Sequence, residues 1–447
     1  MLQIQIPDSV QFIIHTIEEA GFEAYAVGGC VRDSILGRVP DDWDITTSAK
    51  PEDIKQLFRH TIDTGIQHGT VTVLIKKECY EVTTYRIDGE YEDSRHPKEV
   101  NFTPLLSEDL KRRDFTINAM AYNEKSGIID LFGGREDLHN GIIRCVGEPR
   151  ERFKEDALRI MRAVRFSAQL GYDIEEQTAE AIKELAHTLA RISVERIQVE
   201  LVKLLVSDHP EYVLRLYEMG LTRVFLPEFD AMMDTPQNNP HHIYSVGMHT
   251  IKSMQFVSKD KLLRLAMLLH DIGKPVTRST DDKGVDHFHA HPLEGSVLAK
   301  KVLKRLRFDN ETIDRVSLLI LYHDYGNAVS ATPAFTRKYI HKVHMKNFPL
   351  LLEIKKADVM AQSGFQREEK LEKLELLRKS YEDVVEQGMC ISLKSLAVTG
   401  SDLIAAGMKP GQELGRALND LLEVVLENPE MNNKDSLMEL IKRWGYI

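Results

Sequence analysis

Asp42 and Asp44 stand two residues apart in AVGGCVRDSILGRVPDDWDITT, shortly after the Gly28–Gly29 pair. On an extended strand alternate side chains point the same way, so both carboxylates can share hard divalent cations while Trp43 faces the other side. Two such ions suit transfer of a nucleotidyl group to a 3′-hydroxyl. One activates the attacking oxygen and one holds the triphosphate and its leaving pyrophosphate, both normally Mg²⁺. Gly28 and Gly29 let backbone N–H groups approach a triphosphate, and Arg32 adds charge near a helix start. A D-x-D pair alone is common in turns before strands; its company gives it chemical direction.

A second set lies further along. LLRLAMLLHDIGK ends an apolar helix on His270 and Asp271, with His249 upstream and His291, His323 and Asp358 downstream, giving the order H, HD, H, H, D. Imidazole and carboxylate together bind transition metals and lower the pKa of a bound water, making hydroxide available for phosphoester hydrolysis. HDIGK with these companions resembles the signature of the HD phosphohydrolase superfamily. Any one of these histidines taken singly would read as an ordinary imidazole; the ordered set does not.

These groups need a scaffold. A chain of 447 residues exceeds one compact core and suggests two to four domains. The first 145 or so residues mix β-branched runs such as TVTVLI and YEVTTYRI with Gly, Pro and Asp turns, which predicts one α+β domain. Beyond about residue 150 apolar residues recur at three and four positions, as in ALRIMRAVRFSAQL and ERIQVELVKLLV, which predicts almost pure helix. Breaks are expected near Gly171, at DTPQNNP from Asp234 to Pro240, and near Gln387 to Ser392. The segment from Arg86 to Phe102, rich in Gly, Asp, Arg and Pro, predicts a mobile loop between strands.

Composition sets outer limits. The hydrophobic share of 43% and charged share of 28% are those of an ordinary water-soluble chain, and no apolar run approaches the roughly 20 residues that cross a bilayer. The N-terminus lacks the pattern of a signal peptide, so a cytoplasmic location is expected. Cys30, Cys79, Cys145 and Cys390 form no C-x-x-C pair and predict reduced, buried thiols. Sixty-nine acidic residues against 58 Lys and Arg give a net charge of −11, which weighs against nucleic-acid binding through overall charge. Any RNA site must be local, and arginines crowd only between Arg144 and Arg165.

The pattern GG-x-VRD followed by DDWDITT resembles the opening motif of class II tRNA nucleotidyltransferases and related bacterial poly(A) polymerases, members of the polymerase-β-like superfamily. TTYRIDGEYEDSRHPKEVNF, EDLKRRDFTINAMAYN, DLFGGREDL and EDALRIMRAVRFSAQLGY follow in that family's order, and ISVERIQVELVKLL extends the likeness to about Pro227. The resemblance implies a head with a mixed five-stranded sheet (1–145), a helical neck and RNA-binding body (146–235), an HD domain (236–386) and a helical tail (387–447).

It also implies roles. Asp42 and Asp44 are the metal ligands, Glu81 resembles the third acidic position, and Gly29 and Arg32 contact the triphosphate. Arg113 resembles a nucleotide-contacting arginine and Asp114 the sugar-recognising position. The E-D-x-x-R motif matches Glu155, Asp156 and Arg159, through which the family selects CTP and ATP without a template. Three residues apart on a helix are neighbours, so carboxylate and guanidinium can meet one base edge. Each step of three lags the helical repeat by about 60°, so Arg162 and Arg165 wind away toward phosphate or the head–neck junction. The implied activity is addition of CCA to tRNA. A-only addition or poly(A) synthesis uses the same chemistry, and an HD hydrolase whose head merely binds nucleotide or RNA is the reading from another class. The loop from Arg86 to Phe102 looks intact, which argues against a CC-only enzyme. RNA binding without catalysis would not require paired carboxylates beside a Gly-Gly turn. Oligomeric state is not legible in these motifs.

Overall fold

Helix α1 (Asp8–Glu19) buries Val10, Ile13, Ile14 and Ile17, the i, i+3, i+4, i+7 stripe of an amphipathic helix. In the computed structural model, which describes residues 3–89, 100–326 and 332–447, the chain divides into two compact units, Met1–Pro227 and Glu228–Ile447.

In the first unit β1 (Ala24–Val27), β2 (Ile45–Thr47), β3 (Thr61–Gly65), β4 (Thr70–Ile75), β5 (Glu78–Thr84), β8 (Met120–Asn123) and β9 (Gly127–Asp130) form a sheet ordered β3-β4-β5-β2-β1-β8-β9. It is mixed, because β2 and β5 run parallel and the other neighbours antiparallel. Seven strands replace the expected five, since the β3–β4 and β8–β9 pairs each carry the sheet to an edge strand. Tyr25, Val27, Tyr85, Leu110 and Ala121 form one buried cluster of this unit.

The ends of the expected Arg86–Phe102 loop are paired instead: β6 (Arg86–Asp88) and β7 (Val100–Phe102) make an antiparallel stem. The intervening residues 90–99 of that expectation lie outside the described residues.

Short helices punctuate the unit: α2 (Gly29–Ile35), α3 (Pro51–Leu57), α4 (Leu106–Lys111) and α5 (Gly134–Asn140). Then come α6 (Pro149–Glu155), α7 (Leu158–Leu170), α8 (Glu176–Leu185) and α9 (Val194–Leu205). The α7 helix stops at Gly171, whose φ of 72° is left-handed, and a Cβ there would stand 2.7 Å from His209 Nε2.

Among its described residues the second unit is helical apart from connecting turns and the hairpin Arg278–Thr280 with Asp286–Phe288. Its last helices own a separate core, including Val398, Leu403, Leu421, Val425, Leu437 and Ile441. All four cysteines are unpaired, but Cys79 is exposed rather than buried because it lies near the end of β5. Among the described residues no helix is long and apolar enough to cross a membrane.

Candidate active site

Regular strand β2 begins at Ile45, so Asp42 and Asp44 sit in the segment leading into it rather than on the strand as expected. Asp44 nonetheless continues the ladder, its carbonyl accepting from Val27 N–H at 3.0 Å. Parallel pairing of Ile45 with Val82 places the preceding residues, Asp44 and Glu81, side by side. Packing of protein around it, then Asp42, push the Asp44 carboxyl up to about 6, with Glu81 adding to the rise and Arg113 opposing. Asp42 and Glu81 are both felt at Asp44 against one guanidinium, a local surplus of negative charge on hard oxygens that suits a divalent cation.

Gly28 precedes α2 with φ 85° and ψ −130°, a backbone state open to glycine, and a Cβ there would stand 3.1 Å from Arg113 Nη1. Gly29 opens α2, where a Cβ would meet Arg32 Nη2 at 3.7 Å. Arg32 is buried, donating to Asn118 Oδ1 at 2.6 Å and to both Asp33 oxygens at 2.9 and 2.8 Å. Arg112 and Arg113 both reach the fully buried Asp109, whose carboxylate also accepts from Thr46 Oγ1 at 3.1 Å. Asp109 therefore ties these guanidiniums to β2, the strand that Asp44 leads into.

Glu155, Asp156 and Arg159 do not share one helix. The α6 helix ends at Glu155 and α7 starts at Leu158, with Asp156 extended at φ −138° and ψ 105° between them. Arg159 pairs with Glu155 and donates to the carbonyls of Arg152 at 3.2 Å and Arg112 at 3.0 Å. Asp156 instead takes Arg196 Nη2 of α9 at 2.7 Å. Arg162 Nε donates to Asp114 at 2.7 Å, and Arg165 pairs with Glu200 at 2.7 Å. Burial alone would raise the Asp114 carboxyl, but Arg162 and then Arg159 outweigh it and hold it at about 2.

In the second unit His249, His270, Asp271, His291, His323 and Asp358 converge as two groups: His249, His270 and Asp358, and Asp271, His291 and His323. His249 Nε2 lies 2.8 Å from Asp358 Oδ1, and His270 Nε2 lies 3.2 Å from Asp271 Oδ2. Nδ1 of His270, His291 and His323 lies 2.8, 2.9 and 2.7 Å from the carbonyl three residues earlier. A carbonyl only accepts, so each Nδ1 donates a proton to it and each Nε2 is the ring nitrogen left for the cluster. Yet His291 Nε2 and His323 Nε2 stand 3.3 Å apart. A cation shared between these two nitrogens would account for so close an approach.

Lys274 of HDIGK adds the only ammonium within reach of Asp271 among the described ion pairs, at 2.7 Å, and donates to Gln237 Oε1 at 2.8 Å. Burial opposes ionisation of Asp271, but His270 and then Lys274 hold its carboxyl far down. Gly273 in the same motif is required by close approach: a Cβ there would run into the His291 carbonyl and stand 2.6 Å from Gly295 N.

Three family models match the chain. The poly A polymerase head domain covers residues 24–144, the model described as an RNA- and SrmB-binding site of polymerase A covers 171–233, and that of a tRNA nucleotidyltransferase domain 2 covers 293–441. A CCA-adding enzyme of Lactobacillus helveticus is 36% identical over 96% of this chain and 95% of its own. The chain belongs to the CCA-adding enzyme family. A CCA-adding enzyme of Ligilactobacillus salivarius is 37% identical over 99% of this chain and 98% of its own. Among solved structures, the Bacillus stearothermophilus CCA-adding enzyme in complex with CTP superposes with a TM-score of 0.71 at 31% identity, covering 97% of each chain.

This member of the CCA-adding enzyme family also shows residues that the sequence motifs did not single out. Asp109 and Asn118 organise the arginines of the head, while Arg196 and Glu200 answer Asp156 and Arg165. Arg196 and Glu200 lie one helical turn apart in ERIQVELVKLL, and Glu200 is buried. A charged i, i+4 pair reaching the buried side of a helix was the available signal.

Proposed function

We propose that this protein builds or repairs the 3′-CCA end of tRNA, adding C, C and A from CTP and ATP and releasing pyrophosphate. The observation that carries the reading is that Asp42, Glu81 and Arg113 all act on Asp44 beside Gly28, in a chain alignable to CCA-adding enzymes over nearly its whole length.

Asp42 and Asp44, with Glu81 beside them, would hold Mg²⁺. When bound there, divalent ions lower the pKa of the attacking 3′-hydroxyl and neutralise the triphosphate and departing pyrophosphate. The chain's own groups do the rest. Gly28 and Gly29 leave room for the triphosphate, and Arg32 and Arg113 supply fixed positive charge along it. Asp114, kept ionised by Arg162, accepts from the sugar. Asp156 and Arg159 meet the base edge, each anchored from behind by Arg196 and Glu155 rather than by the other. Arg162 and Arg165 face the phosphates or the head–neck junction. We assign the parts as nucleotidyltransferase head 1–145, neck and RNA-binding body 146–235, HD domain 236–386 and tail 387–447.

The decisive experiment supplies tRNAs ending at the discriminator base, at C or at CC with Mg²⁺ and CTP, ATP or both, and reads products on a gel. Ordered completion of all three to CCA is expected. Growth of the CC-ended tRNA alone would make the protein an A-adding enzyme, and long A tails a poly(A) polymerase; either result would replace the reading.

A second reading accompanies it because the His291–His323 geometry calls for a cation. His249, His270, Asp271, His291, His323 and Asp358 would hold a transition metal for phosphoester hydrolysis at nucleotides or RNA ends. Metal content of the purified full-length chain should fall in a His270→Ala/Asp271→Ala variant. Equal metal content in both proteins would refute the site, whatever hydrolysis is seen.

A further inference from the structure

Phe166 lies on α7 with 5% of its surface exposed. Three guanidinium carbons stand over its ring: Arg165 at 3.8 Å from the centroid, Arg32 at 5.1 Å and Arg162 at 5.2 Å. All fall inside the roughly 6 Å within which a cation is drawn to the negative face of an aromatic ring. They come from two distant stretches of sequence, one beside the Gly-Gly turn and one along α7. The ring also packs edge-on against Phe115, with centroids 5.8 Å apart and planes at 78°. Phe115 follows Asp114, the residue that Arg162 grips.

Three like charges gathered at one ring repel. Each has its own acidic partner: Asp33 for Arg32, Asp114 for Arg162 and Glu200 for Arg165. Their mutual repulsion is still felt. Arg165 is pulled down to about 10, chiefly by burial, with Arg162 and Arg32 adding to the fall against Glu200. The carboxylates fix each arginine separately, from different directions. Phe166 is the one group in contact range of all three among the described ring contacts. Leucine would fill much of its volume without offering a negative face.

We propose that Phe166 is a positioning residue for the incoming nucleotide: its ring gathers Arg32, Arg162 and Arg165 into one cationic wall before the nucleotide arrives. The proposal rests on the reading of Arg32 and Arg162 as groups of the nucleotide site. Preassembly matters because a triphosphate then meets charges already oriented and does not have to order them on binding. Phe166 itself touches no reacting atom; it acts through the arginines.

The test uses the full chain carrying Phe166→Leu, Phe166→Tyr, pentafluorophenylalanine at position 166, or Arg32→Ala. Melting temperature is measured, with kcat and KM for CTP on tRNA ending at the discriminator base and for ATP on tRNA ending at CC. Pentafluorophenylalanine keeps the shape and weakens the negative face, so a packing role would not register it. Phe166→Leu is expected to raise both KM values about tenfold, which corresponds to about 1.4 kcal/mol, with kcat much less changed. The fluorinated chain should show a raised KM for both nucleotides, and Phe166→Tyr should stay within about twofold of the parent. A fluorinated chain with the parent's KM overturns the proposal, even where Phe166→Leu fails to fold. So does a Tyr variant as impaired as the Leu variant. Arg32→Ala separates the two layers. If it leaves KM unchanged, the reading of the nucleotide site fails and takes the proposal with it; if it raises KM while the fluorinated chain does not, only the proposal falls.

Discussion

Asp42, Asp44 and Glu81 are solvent-exposed in the head, whereas Asp271 and Asp358 lie among buried imidazoles with Lys274 against Asp271. In the head, the protein packed around Asp44 and then the repulsion of Asp42 raise its carboxyl to about 6, and the charge waits for a partner from outside. In the HD cluster each carboxylate already has a histidine or ammonium within hydrogen-bond reach, and both are held far down as anions. An exposed site can tolerate unbalanced charge because water solvates it; a buried one must balance charge internally or lose stability. Removing an acid should therefore abolish chemistry without loosening the fold in the first region, and loosen the fold in the second.

The largest expected effect is chemical. An Asp42→Ala/Asp44→Ala variant should lose at least about a thousandfold in CTP and ATP incorporation, about 4 kcal/mol of barrier, while its denaturation midpoint holds or rises because repulsion is relieved. Lowered stability on that substitution would break the comparison. Next, Asp271→Ala should cost about 3 kcal/mol in chemical denaturation, since it strands Lys274 and His270 as buried groups without their anion. Adding Lys274→Met in the same chain should recover part of that loss; failure to recover any would mean the two residues are not coupled.

Asp114 sharpens the contrast, because it belongs to the head yet is buried and paired like the acids of the HD cluster. Its folded pKa of about 2 lies below the ordinary aspartate value of 3.8. The carboxylate thus stabilises the fold fully above the unfolded pKa, and that contribution, about 2 kcal/mol, is lost as pH falls from about 4 toward 2. Stability measured against pH should fall more steeply over that window in the parent than in Asp114→Asn. Parallel curves would show that Arg162 and Arg159 do not hold this acid ionised. The smallest effect is expected between the extremes, at the half-exposed Arg196–Asp156 pair. Arg196→Ala should raise KM for both nucleotides about fivefold, near 1 kcal/mol, with little change in melting; an unchanged KM would leave the pair as surface decoration.

Much of the grouping of residues in both candidate sites was legible before any coordinates. Periodicity separated the strand-bearing head from the helical remainder, and the ordered H, HD, H, H, D series converges as its spacing suggested. Local geometry was less legible. Asp42 and Asp44 precede β2 because regular pairing with β5 starts at Ile45. The helix expected to carry Glu155, Asp156 and Arg159 breaks between α6 and α7, and no Gly or Pro in that run of charged and apolar residues announces the stop. The expected loop from Arg86 proved to have a paired stem for a related reason: strand pairing is a property of two segments, not of one.

The sequence by itself determined which groups carry charge, where the backbone needs glycine, and which stretches are strand or helix, because those follow from residue type and local period. Only the tertiary structure decided who meets whom. Asp156 meets Arg196 across 40 residues and His249 meets Asp358 across 109, and Arg32 reaches the ring of Phe166 from the far side of the head sequence. Such pairings are fixed by the packing of whole elements against one another, and whether a given acid is solvated, repelled or neutralised depends on that packing rather than on its neighbours in the chain.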